Sequence, residues 1–137
     1  MDRALGLLGL ARRGSRVELG EEGVAGACRS GKARLLLLAS DAGDSVRHRA
    51  AYFVRSGKPP LLEVPYTKAE LGGAVGRPVC PIAAMTDAAM ALALVEALPS
   101  SEDAEAVRQT LETAVRRIEK RRQEEKAHRE NVRRGKK

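Results

Sequence analysis

Aromatic side chains are nearly missing from this 137-residue chain, which has no Trp, one Phe (Phe53) and two Tyr (Tyr52 and Tyr66). A platform that stacks single-stranded bases needs several flat side chains, so that binding mode is disfavoured. The core must be built from Leu, Val, Ala, Ile and Met. Cysteine is as sparse. Cys28 and Cys80 lie far apart and outside any paired metal spacing, and they read as small buried hydrophobes of a reducing compartment. His48 and His128 fall on either side of a domain boundary, without ligand spacing to Cys or acidic residues. Long apolar runs are lacking too. The longest near the centre, residues 35–39, is far too short for a bilayer, and Arg12 and Arg13 interrupt the N-terminal run where a signal peptide would continue. Neither GEEGVAGACRSGK nor LGGAVG meets a nucleotide-binding pattern in a strand-turn-helix context. These absences lead to the expectation of a cytoplasmic protein that is not an enzyme, with no metal, cofactor or membrane segment.

Positive charge is plentiful. The net charge is +7; residues 1–100 hold 13 Lys or Arg against 10 Asp or Glu, and residues 101–137 hold 12 against 8. An excess of this sign favours phosphate partners, although a solvated basic surface would show it as well. The length allows one ordinary domain. Pro99, Ser100 and Ser101 mark its boundary, which divides the chain into a compact unit, 1–99, and a basic helical or partly disordered tail, 100–137.

Helices and short strands alternate along the compact unit. Residues 2–13 suit a helix with Asp2 near its start, Arg12 and Arg13 near its end, Gly14 as its stop and Leu5, Leu8 and Leu10 as its apolar residues. Gly6 and Gly9 weaken it by about 1 kcal/mol each relative to Ala, a cost that close packing would explain. An extended piece, 16–19, precedes a helix that starts at Gly20, Glu21 and Glu22, buries Val24, Ala27 and Cys28, and ends at Gly31. In ARLLLLA, residues 33–39, four consecutive leucines imply a strand buried on both faces. Asp41 and Asp44 follow in a turn, and Asp44 is expected to cap a helix to about residue 56. GKPP breaks that helix, LLEVP is a short strand, and Thr67 with Glu70 forms a capping-box pattern. VCPIAAM is a further strand with Pro81 at its start. A last core helix spans 87–98. The fold class is α/β, a three-layer alpha-beta-alpha sandwich. Beyond it, Val107, Leu111, Val115 and Ile118 mark a modest stripe on a long solvated helix laced with opposite charges at four-residue spacing.

The succession LGLARRG, LGEEGVAGACRSGKARLLLLASDAG, TKAELGGAVG and IAAMTDAAM, over residues 3–98, resembles the bacterial YlxQ-like branch of the L7Ae/L30e ribosomal protein family. The resemblance implies an L30e-like fold and a noncatalytic RNA-binding protein, ribosome-associated and acting on structured RNA, with ribosomal RNA one candidate. It implies RNA contact at the start of the second helix, with Gly20 at the family's glycine position and Glu22 beside it, and at the loop before the last strand, with Arg77, Val79 and Pro81. A helix terminus offers free amides and a positive dipole end to phosphate. The family's kink-turn readers place Asn-Glu where this chain has Glu22 and Gly23, and Lys where it has Gly26. An ionised Glu only accepts hydrogen bonds, and Gly offers no side chain. Arg12, Arg13, Arg16, Lys32 and Arg34 are the candidate phosphate contacts that would compensate. The expected protein is a monomer, and its tail is available for ribosomal protein contacts. The rival reading is an adaptor that binds RNA weakly through the tail.

Overall fold

The computed structural model describes residues 2–135. The order is α1 (Arg3–Arg13), β1 (Val17–Leu19), α2 (Gly20–Arg29), β2 (Leu35–Leu38), α3 (Asp44–Gly57), β3 (Leu61–Glu63), α4 (Lys68–Val75), β4 (Ile82–Met85), α5 (Ala88–Glu96) and α6 (Glu102–Arg133). The sheet runs β1-β4-β2-β3, with β4 antiparallel to both neighbours and β3 parallel to β2. Helices α2 and α3 pack together over β4 and β2, while α1, α4, α5 and α6 make up the other layer. The four leucines of β2 and all four residues of β4 are buried, as strands covered on both faces must be.

Local chemistry sets most helix starts. Asp2 caps α1 by accepting from the amides of Ala4 and Leu5, and Asp87 accepts from Met90 at the start of α5. Thr67 and Glu70 close both arms of the capping box on α4. At α3 the expectation needs correction. Gly43 is the N-cap and makes no side-chain bond, so Asp44 instead lies in the first turn, favouring the dipole. Asp41 is structural: its Oδ1 accepts from the Lys68 amide at 2.7 Å and joins the β2 exit to the start of α4. Arg47 secures the same turn by donating to the carbonyls of Ala42 and Ser40.

Helix α1 packs through Ala4, Leu8, Gly9 and Ala11, and Leu10 is 51% exposed. The approach at Gly9 is close: a Cβ there would sit 2.9 Å from the Ala74 carbonyl oxygen in α4. The Tyr66 hydroxyl donates to Asp2 Oδ1 at 2.7 Å, so α1 and α4 lie side by side in the same direction. The first turns of α6 belong to the core, with Ala104, Val107 and Leu111 buried.

Burial and the Asp2 carboxylate push the Tyr66 phenol up from its ordinary 10.0 to about 12. Between those values the unfolded chain releases the proton and the folded one keeps it, so rising pH favours unfolding. The thermal midpoint should fall from about pH 10 to about pH 12, and Tyr66→Phe should flatten that limb. Identical alkaline profiles for the two proteins would contradict the assignment.

Candidate nucleic-acid interface

The register of β1 on β4 brings two distant segments together. Leu19 pairs with Ala83, so Gly20 continues to the level of Ile82 and the first turn of α2 lies beside Pro81. Gly20 has φ +76°, a left-handed conformation that favours glycine, with open space where a Cβ would project. Its N-cap, Leu19, makes no side-chain bond, so no cap side chain occupies the first amides of α2. Glu21 and Glu22 follow in that turn, where they suit the dipole but oppose an incoming phosphate. Arg49 of α3 stands 3.6 Å from Glu21 and offsets part of that charge. Arg49 was not among the sequence candidates, because only the packing of α3 on α2 brings it here.

The loop 76–81 is folded back on α4. Gly76 ends the helix in the left-handed region, the Arg77 amide donates to the Gly72 carbonyl, and the Cys80 amide donates to that of Lys68. A Cβ at Gly72 would meet the Arg77 carbonyl oxygen at 2.5 Å, so the loop can lie this close only over glycine. This return leaves Arg77 exposed, Val79 51% exposed and Pro81 half-buried. Cys80 points inward; burial pushes its thiol up, and the nearby Arg77 charge partly offsets the shift. The side-by-side run of α1 and α4 brings the exposed Arg12 and Arg13 to the level of Gly76 and Arg77.

The remaining candidates lie elsewhere. The Arg16 carbonyl accepts from the Thr86 amide and the Arg34 amide donates to Met85, which places Arg16, Lys32 and Arg34 beyond the C-terminal end of β4. Pro81 precedes the N-terminal end, roughly 13 Å or more away along the strand. These cations therefore do not surround the start of α2, and Arg16 pairs with Asp87 at 2.8 Å. Between the two ends runs a groove of about 300 Å³, lined by Glu18, Glu22, Gly23, Gly26, Ser30 and Lys32 among others. Gly23 and Gly26 leave this stretch of the groove without side chains. Among the described residues, no group of three or more His, Cys, Asp or Glu is placed to hold a metal ion, and no helix is long and apolar enough to cross a membrane.

No protein-family profile matches this chain, and no curated protein matches it either. Among solved structures it is similar to a protein with unknown function from Bacillus halodurans C, at 30% identity and TM-score 0.64 over 71% of this chain and 97% of that one. It is also similar to the Giardia lamblia 15.5kD RNA binding protein, at 19% identity and TM-score 0.58 over 75% and 85% of the two chains. The second likeness is one of fold alone.

Gly72 and Gly73 provide a paired test of the loop seat. Gly72→Ala forces the 76–79 return away from α4 and should destabilise the protein by about 1–3 kcal/mol. Gly73→Ala meets nothing within 4 Å and should stabilise it by up to about 1 kcal/mol through helix propensity. Urea unfolding of both variants checks the contrast, and equal effects would contradict the geometry.

Proposed function

We propose, for a chain that belongs to the same family as the Bacillus halodurans C protein, a noncatalytic role in binding structured RNA. In this reading the chain is a YlxQ-like member of the L7Ae/L30e family with the L30e-type fold, acting as a cytoplasmic monomer on structured RNA, with ribosomal RNA one candidate. The observation that carries it is the juxtaposition of the α2 start with the loop 76–81, on a fold shared with an RNA binding protein. Free amides take a phosphate at Gly20, Arg77 takes a second phosphate with Arg12 and Arg13 beside it, and Val79 and Pro81 pack on an exposed base or sugar. Two buried free cysteines suit a reducing compartment.

A second reading, the ribosome-associated adaptor, draws support from Gly23 and Gly26, which remove side-chain contacts from the α2 surface. Its partner surface would be α6 beyond Ile118, so removing residues 119–137 separates the two readings while leaving the buried part of α6 in place.

The deciding measurement compares a kink-turn RNA with a straight duplex of equal length at near-physiological salt. Arg77→Ala should weaken kink-turn binding by about tenfold and make the salt slope shallower by about 1. Glu22→Asn combined with Gly23→Glu and Gly26→Lys supplies the donors and the acceptor that kink-turn readers use, and should raise selectivity for the kink-turn by about tenfold or more. Unchanged affinity in the first variant and unchanged selectivity in the second would overturn the site.

A further inference from the structure

The stripe by which α6 packs on the domain is Ala104, Val107 and Leu111, continued by the half-buried Val115 and Ile118. The same three- and four-residue spacing runs on through Arg122, Lys126, Arg129 and Arg133, all exposed, with Glu125 at its margin. One face of one helix thus changes from apolar to cationic where it leaves the body of the protein. The ion pairs that α6 closes are those of Arg108 with Glu105 and Glu112, and among the described residues the four ridge cations have no such partner.

The direction of α6 fixes what that ridge faces. A short loop joins it to α5, and the two helices pack together, as antiparallel neighbours do. Its first turn lies beside Leu62, Glu63 and Val64 at the C-terminal end of β3. From there it runs back over the sheet, and residues 119–133, all exposed, carry it on for about 22 Å at 1.5 Å per residue. That opposite end is where Arg34 precedes β2 and Lys58 precedes β3. The ridge and the sheet end therefore form an inside corner with cations on both walls.

We infer that this corner is a second nucleic-acid surface, separate from the α2 start and the loop 76–81, and that it takes the phosphate backbone of an RNA duplex. The four ridge cations span about 16 Å of helix axis, a length suited to a row of phosphates rather than one ion. Guanidinium groups grip phosphate oxygens in pairs. A protein partner would need buried apolar or aromatic anchors, and the exposed large apolar residue on this part of α6 is Val132, beside the ridge. The inference extends the RNA-binding reading above to a protein that holds two RNA segments at once.

The test uses the full chain and a labelled straight RNA duplex, with binding followed by anisotropy over a salt series. Replacing Arg122, Lys126, Arg129 and Arg133 with Gln should weaken duplex binding by about tenfold or more and make the salt slope shallower by about 3. Replacing Arg116, Arg117, Lys120 and Arg121 with Gln removes the same charge from the other side of α6 and should cost less than a third of that slope change. Arg34→Gln with Lys58→Gln should reproduce part of the ridge loss. Equal losses from the two quadruple variants would overturn the corner, as would a wild-type protein that ignores the duplex. Unchanged duplex affinity in the ridge variant, with loss of binding to phosphatidylserine vesicles, would overturn the RNA assignment in favour of an anionic lipid surface. Because Arg77 lies on the first surface, Arg77→Ala should leave duplex binding by the corner in place, so the two readings fail separately.

Discussion

Everything that places a functional group in this protein depends on the pairing of β4 with both β1 and β2. Its four residues, Ile82–Met85, are each fully buried, so a slip of one residue would not simply trade a core face for a solvent face. The register is held by what flanks the strand: Pro81, which has no amide to donate but whose carbonyl accepts from the Ala39 amide on one side, and the Thr86 amide bonded to the Arg16 carbonyl on the other. From that register follow the position of Gly20 beside the 76–81 loop and the separation of Arg16, Lys32 and Arg34 from it. Loss of the β1 to β4 pairing would separate the α2 start from the 76–81 loop.

Electrostatics at the start of α2 is a balance of opposing effects. The helix end attracts anions, Glu21 and Glu22 repel them, and Arg49 returns part of the positive field. Exposed charges are screened over roughly 8 Å at physiological salt, so this balance acts on a phosphate in contact and little beyond. Groups that direct hydrogen bonds decide the outcome, and here they are backbone amides rather than side chains. In the proposed role, such a site would favour the shape of an RNA backbone over the identity of its bases.

Much of the fold was legible because its signals are local. Four leucines in succession, the Thr67 and Glu70 capping box, Asp2 before α1 and Pro81 before β4 each act within a few residues, and each stands where the sequence placed it. Asp44 was misplaced by one position because an acid at the cap and an acid in the first turn look alike in sequence, while the backbone chose Gly43 as the cap. The expected close packing at Gly9 is the contact of α1 with Ala74 of α4. The candidate site was legible at Gly20, Arg77, Val79 and Pro81 as separate segments. Their meeting, the Arg49 to Glu21 pair and the corner under α6 arise only from strand order and helix direction, which no local pattern encodes.

The most direct test of RNA recognition at the α2 start is residue-resolved. Amide chemical-shift mapping of the intact protein, titrated with a kink-turn RNA, would report on Gly20, Glu21, Glu22, Arg77, Val79 and Cys80 individually. The account predicts that these amides move first and most, with shifts in α6 appearing as the duplex arms engage. Shifts confined to α6, with the α2 start and the 76–81 loop silent, would contradict it.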